Sequence, residues 1–382
     1  MKHVMLIFGT RPEAIKMLPL IKELRARARS RISVVVTGQH KQMLRQVFDV
    51  FEEAPDIDLE LMSDRQTLAD VTARVLTSVA AVVGREAPDL VLVHGDTTTA
   101  MAAALAAFYA KVPVGHVEAG LRSHDIFHPW PEEYNRISVD AVSELLFAPT
   151  EISAENLKRE SPRPRSIYVT GNTGIDALIY MAQRVGPNNL SGLALPSLDG
   201  KKMVLVTGHR RESFGEGFEN ICEGINQISA RPDVEIVYPV HLNPMVKEVV
   251  NARLGGRPNV HLLSPVLYDQ MVALMKTADV ILTDSGGIQE EAPALGKPVV
   301  VMRDVTERPE AVATGVVTLV GTNPQKIASE VLSLLWDEVY YTARARKVFP
   351  YGDGNAAAKI ADAIEQFFTK KPICEEPQLT TI

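Results

Sequence analysis

ADVILTDSGGIQEEAPALGKPVVV, residues 278–301, decides the fold of this chain. An apolar run, a stretch opened by Ser285, Gly286 and Gly287 with room for a helix, and a second apolar run make one strand–helix–strand unit. Strands joined by a crossover helix pair in parallel, and parallel sheets carry helices on both faces. The same alternation extends outward in both directions, from the first residue to about residue 345. In the first half it gives strands at HVMLIF from His3, ISVVV from Ile32, DLVLVH from Asp89, VPVGHVE from Val112, ELLFAP from Glu144 and SIYVTG from Ser166. In the second half MVLVTG, VEIVYPV, NVHLLS, DVILTDS, PVVVM and VVTLVG repeat the pattern, so the class is α/β with two sets of doubly wound units.

Length agrees with that division. A chain of 382 residues is too long for one ordinary core and suits two domains. Residues 1–170 form the expected first domain and 171–353 the second, with a stretch rich in Gly, Pro, Asn and Ser from Gly186 to Gly200. A helix over about 354–370 and a poorly ordered tail over 371–382 complete the chain. The composition, 46% hydrophobic and 23% charged, is that of a soluble globular protein, and no apolar run is long enough for a membrane span. The net charge of −7 argues against a nucleic-acid partner, which requires a basic surface. The N-terminal MKHVMLIFGT reads as a buried strand entering a turn rather than a signal peptide, so the expected location is cytoplasmic. Cys222 and Cys374 stand far apart outside any CxxC pattern and read as two free thiols.

Open parallel sheets bind ligands beyond the carboxyl ends of their strands. FGTRPE, TGQH, HGDTTT, VEAGLRS, TGN, TGHRRESFG, PVHLNP and TDSGGIQEE each follow an apolar run, and two sheets facing each other would gather them along one cleft. At Ser285, Gly286 and Gly287 the glycines admit close approach, the free N–H groups point outward and the helix dipole favours a diphosphate. A capped helix with glycines chosen for packing is the alternative. Glu290 and Glu291 follow, suited to ribose hydroxyls or to a solvated pair. Arg11 and Lys16 place cations near the helix that Pro12 starts, where a ligand phosphate explains them better than solvation does.

The acidic set Asp96, Glu118, Glu132 and Glu133 is the candidate for proton chemistry. Asp96 and Glu118 end successive strands and would present two carboxylates to one pocket, although Asp96 could equally be an N-cap. Glu132 and Arg136 lie four apart, a spacing that often marks only a surface ion pair. His209, flanked by Arg210 and Arg211, could steady a leaving diphosphate, whereas His116 reads better as a structural histidine bonded to backbone. There is no GxGxxG after the first strand, no GxxxxGK[ST], no HExxH and no CxxC, so neither a redox cofactor nor a metal is expected. The residues themselves reach cofactor-free chemistry on a sugar nucleotide.

Taken together, GTRPEAIKMLPL, TGQHKQML, VHGDTTTA, HVEAGLRS, PWPEEYNR, TGNTGID, TGHRRESFG, HLNP and TDSGGIQEEAPALGKPVVVMRDVTERPEAV resemble the non-hydrolysing UDP-N-acetylglucosamine 2-epimerases, over almost the whole chain. The resemblance implies two Rossmann-like domains facing a central cleft as in glycosyltransferase-B folds, a C-terminal helix packed back on the first domain, and a homodimer. It implies interconversion of UDP-N-acetylglucosamine and UDP-N-acetylmannosamine by anti elimination of UDP to 2-acetamidoglucal and re-addition, feeding cell-surface polysaccharide. By motif it carries acid/base roles to Asp96, Glu118 and Glu132, functional roles to Arg136 and His209, and UDP contacts to Arg11, Lys16, Ser285, Gly286, Gly287, Glu291 and Arg308. It also suggests an allosteric UDP-N-acetylglucosamine site at Gln39, Gln42, Arg65, Arg210 and His241, positions that could instead be substrate contacts. A hydrolysing 2-epimerase, a retaining glycosyltransferase and a non-enzymatic UDP-sugar sensor are the competing expectations.

Overall fold

The computed structural model describes residues 1–370 except 39, 40, 62–65, 161–165, 194, 196, 199, 209, 211 and 212, and except the side chains of 41–43 and 370. The chain divides into two compact units, one holding residues 1–176 and the chain from Gly354 onward, the other Ala177–Asp353. In the first unit the strands are β1 (Lys2–Phe8), β2 (Ser30–Val36), β3 (Ile57–Asp58), β4 (Leu90–His94), β5 (Val114–Val117), β6 (Leu145–Ala148) and β7 (Ser166–Val169). They form a parallel sheet in the order β3-β2-β1-β4-β5-β6-β7. Every residue of β4 is buried, the near-continuous apolar run expected of a strand covered on both faces.

The second unit repeats the plan with β8 (Lys202–Thr207), β9 (Val234–Pro239), β10 (Val260–Leu263), β11 (Val280–Thr283), β12 (Val299–Val301) and β13 (Val317–Leu319). Their order is β10-β9-β8-β11-β12-β13, again parallel throughout. Both units are thus Rossmann-like and doubly wound. Strand order reverses between β1 and β4 in one sheet and between β8 and β11 in the other. These reversals open the crevices where such sheets take their ligands.

Local chemistry fixes the helices beside those crevices. Thr10 caps the helix Arg11–Arg27 and forms a capping box with Glu13, whose Oε2 accepts the Thr10 N–H at 2.7 Å. The helix after β4 begins at Thr98 with Thr97 as its cap, so Asp96 is not the N-cap and its carboxylate is available for other contacts. Ala100, Ala103, Ala104 and Ala107 of that helix are fully buried, small enough for close approach to the helix Leu68–Glu86. In the second unit Cys222 is a free, fully buried thiol whose pKa burial pushes up to about 12, which leaves it inert. Cys374 and the tail lie outside the described residues. Among the described residues no helix is long and apolar enough to cross a membrane, and no cluster of His, Cys, Asp or Glu could hold a metal.

The final helix, Ala356–Lys370, belongs to the first unit. Asp176 caps it from a distance in sequence, Oδ1 accepting the Ala357 N–H at 2.8 Å and Oδ2 that of Ala356 at 3.2 Å. Arg27 fastens it laterally, donating to Asp362 at 2.6 Å, Glu365 at 3.2 Å and the Ala358 carbonyl at 3.1 Å. Such partly solvated pairs are individually weak, and Arg27→Ala is expected to cost about 1 kcal/mol. Its readout is faster amide hydrogen exchange across the final helix. Unchanged exchange there would show that apolar packing alone holds the helix.

Candidate active site

Glu118 follows β5 directly, and its backbone adopts the left-handed conformation (φ 69°), which disfavours a side chain of this kind. A strained non-glycine residue persists when its surroundings hold it, and two groups do so here, with a buried histidine nearby. Lys16 pairs with Oε2, Asn172 Nδ2 donates to the same oxygen at 2.7 Å, and His94 Nε2 lies 3.7 Å from it. His94 is buried and neither ring nitrogen has a hydrogen-bond partner among the described residues. Burial, reinforced by the Lys16 charge, depresses its pKa to about 4, so the imidazole is neutral near pH 7.

Asp96 stands at the neighbouring exit, after β4, because β4 and β5 pair in register from Val91 opposite Val114 to His94 opposite Val117. The expected convergence of the Asp96 and Glu118 chain positions on adjacent strand ends is therefore observed. Arg136 pairs with the Asp96 carboxylate and, through Nη1, with Glu133 at 2.9 Å. The suggested surface pair between Arg136 and Glu132 is replaced by this partly buried arrangement with Asp96 and Glu133. Glu133 Oε1 also accepts the N–H groups of Ser123 and His124 at 3.0 and 3.1 Å, while Asn135 donates to the Asp96 carbonyl at 2.9 Å. Glu132, the first residue of the helix Glu132–Val142, makes no hydrogen bond or ion pair among the described residues.

Glu13 joins the exits of β1 and β4. Its Oε2 accepts the Gly9 and Thr10 N–H groups at 3.1 and 2.7 Å, and Oε1 lies 2.7 Å from Thr97 Oγ1. Burial pushes this carboxyl above its ordinary pKa, with those hydrogen bonds opposing the shift. Gly9 permits the tight turn, because a Cβ there would meet Thr37 Oγ1 at 2.2 Å. The turn delivers Arg11, whose guanidinium is half-buried and has no ionic or hydrogen-bonding partner among the described residues. Burial lowers its pKa, as expected of a cation waiting for an anion.

In the second unit, Ser285 caps the helix Gly286–Ala294 with its backbone, and its hydroxyl makes no capping bond. A Cβ on Gly286 would come within 3.4 Å of the Arg308 guanidinium, while a Cβ on Gly287 would meet nothing nearer than Ser285 Oγ at 3.9 Å. Both are ordinary contacts, so packing demands neither glycine. Arg308 is held by Glu290, Nε to Oε1 at 2.8 Å, rather than by Glu291, which lies electrostatically beside Tyr268. Arg303 grips Glu307 with two hydrogen bonds at 2.8 and 3.2 Å, and Arg210 Nη1 lies 3.8 Å from the same carboxylate. Burial alone would raise the Glu307 pKa, but the hydrogen bonds and charges of Arg303, with Arg308, bring it to about 2. This helix start is accordingly close to several arginines, a chemistry suited to phosphate. His241 follows β9, with Nδ1 accepting the Asn243 N–H at 3.1 Å.

His209, Gln39 and Arg65 lie outside the described residues, as does the side chain of Gln42. Sequence reading placed His94 at a strand exit but did not single out Asn172, which holds Glu118, or Glu13, which ties the exits of β1 and β4. TGN at the exit of β7 and the Thr10-x-x-Glu13 capping-box spacing were the available signals.

Residues 22–365 match the family model described as UDP-N-acetylglucosamine 2-epimerase. The chain is 52% identical over 368 residues to the UDP-N-acetylglucosamine 2-epimerase of Escherichia coli K12, covering 95% of this chain and 98% of that protein. It is similar to the crystal structure of the Neisseria meningitidis UDP-GlcNAc 2-epimerase bound to UDP-GlcNAc, with TM-score 0.90, 45% identity and coverage of 95% and 100% of the two chains. The S. aureus MnaA–UDP co-structure matches with TM-score 0.88 and 44% identity, covering 97% of this chain and 99% of that one.

Proposed function

Because this chain belongs to the UDP-N-acetylglucosamine 2-epimerase family, we propose that it inverts C2 of UDP-N-acetylglucosamine reversibly, giving UDP-N-acetylmannosamine without hydrolysis. The observation that carries this reading is the Glu118 carboxylate, held in a left-handed backbone position by Lys16 and Asn172 one strand away from the Asp96–Arg136 pair. The hydrogen on C2 is not acidic. Its removal must accompany departure of UDP, with a carboxylate taking the proton, the C1–O bond breaking toward the diphosphate, and 2-acetamidoglucal left behind. Return reverses the flow: a diphosphate oxygen bonds to C1 and a proton reaches C2 on the opposite face.

Cations at the leaving group and carboxylates at the sugar are the division of labour that this reaction needs. Asp96, Glu118 and Glu132 take the acid/base roles in this reading, with Arg136 and His209 supporting them. Arg11, Lys16, Ser285, Gly286, Gly287, Glu291 and Arg308 bind UDP, and Glu290 orients Arg308. The same reading makes the protein a cytoplasmic homodimer feeding cell-surface polysaccharide. It gives Gln39, Gln42, Arg65, Arg210 and His241 to a second, activating UDP-N-acetylglucosamine.

Incubation with UDP-N-acetylglucosamine in deuterated water, followed by NMR, tests the reading. The expected result is both C2 epimers as UDP-sugars, with deuterium at C2. Release of mainly free N-acetylmannosamine would instead identify a hydrolysing enzyme. A bound sugar nucleotide that keeps its C2 hydrogen would identify a sensor, or a transferase lacking its acceptor.

A further inference from the structure

His116 lies wholly inside the first unit, on β5, and both of its ring nitrogens face acceptors. Nε2 is 2.8 Å from the Gly95 carbonyl and Nδ1 is 2.6 Å from Asp140 Oδ1. A carbonyl oxygen only accepts, so Nε2 carries hydrogen. The second contact then requires hydrogen on Nδ1, or a proton on Asp140. Asp140 Oδ2 already receives the Arg122 guanidinium at 2.8 Å and the Gly120 N–H at 3.3 Å, an environment that selects the ionised carboxylate.

We propose that His116, carrying hydrogen on both ring nitrogens, positions Asp96 through the Gly95–Asp96 peptide. Gly95 sits in the left-handed region (φ 65°), so the peptide that follows it has little intrinsic reason to hold one orientation. His116 clamps its carbonyl, and Asn135 and Arg136 hold the Asp96 carbonyl and carboxylate. The trans peptide turns the Asp96 N–H away from the imidazolium, and polarisation of the carbonyl makes that N–H a stronger donor. The charged groups around His116 are Asp140 from the helix Glu132–Val142, Arg122 from the loop after β5, and His94 on β4, which stays neutral partly because His116 opposes its protonation. Arg122 is shared with Glu160 at 2.7 Å, so two cations meet two carboxylates. This inference deepens the epimerase reading and rests on it for the reaction, but the charge state stands apart from any substrate.

Histidine-selective ¹⁵N NMR of the intact protein tests it. Both His116 nitrogens are expected at protonated positions at neutral pH, and Asp140→Asn should leave one of them bare. A wild-type His116 with one bare nitrogen at neutral pH overturns the proposal. In turnover assays, His116→Gln should lower kcat by about 10²-fold, the scale of a misplaced catalytic group, with KM little changed. Near wild-type kcat in folded His116→Gln overturns the positioning role. Should that variant not fold, Asp140→Asn carries the kinetic test, with the same fall in kcat supporting the role and an unchanged kcat refuting it. Failure of wild-type protein to exchange C2 hydrogen would defeat the epimerase reading while leaving the NMR result intact.

Discussion

Glu118→Gln is expected to lower turnover of UDP-N-acetylglucosamine by about 10²-fold or more, a typical loss when acid/base help disappears. The substitution keeps the side-chain shape and leaves the left-handed backbone at residue 118 in place. What it removes is the carboxylate that can take up or release a proton. It also removes the charge that Lys16 pairs with at residue 118, so a modest drop in melting temperature should accompany the kinetic loss. Asp96→Asn should show a similar fall, because Arg136 loses the same kind of partner. Glu132→Gln should differ in stability, since Glu132 has no partner to abandon among the described residues. Steady-state turnover and thermal melting of the three variants separate these cases. Near wild-type turnover in all of them would remove these carboxylates from the chemistry.

Arg11→Met should raise KM for the UDP-sugar by about 10-fold to 10²-fold, the equivalent of one strong charge-assisted hydrogen bond. Its effect on the free protein should have the opposite sign. Arg11 is half-buried without a partner among the described residues, and burial already disfavours its charged form. Replacing it with an apolar side chain of similar length removes that desolvation penalty, so melting temperature should hold or rise. The combination of weaker binding and undiminished stability is the signature of a group kept for a ligand. A fall in stability with unchanged KM would make Arg11 a structural residue.

The parallel strands were legible because most are apolar runs ending in Gly, Thr or Asp, and burial on both faces demands such runs. The two-residue edge strand β3 was not, since Ile57–Asp58 is too short to carry any periodicity. The helix Glu338–Arg344 also escaped the coarse reading of the C-terminal region. At the site, charged residues at strand exits stood out individually, but their partners did not. Spacing of four linked Arg136 to Glu132, whereas sheet topology brings Asp96, forty residues earlier, to the same guanidinium. Asn172 and Glu118 meet across fifty-four positions, a distance over which local pattern says nothing. His116 was legible as a backbone-bonded histidine; the second acceptor, Asp140, comes from a helix and meets the ring only in three dimensions.

Asp176 and the final helix have a consequence for the nascent chain. The residues that Asp176 caps leave the ribosome only after the whole of Ala177–Asp353 has been made. Until then the surface destined to meet Ala357, Ile360, Ala361 and Ile364 stays uncovered, although every strand of the first sheet has already emerged. Domains generally fold as units in order of synthesis, and exposed apolar surface invites aggregation. Here the first sheet to be translated is the last to be sealed, so a ribosome that stops anywhere before Gly354 releases a first unit with an open apolar face.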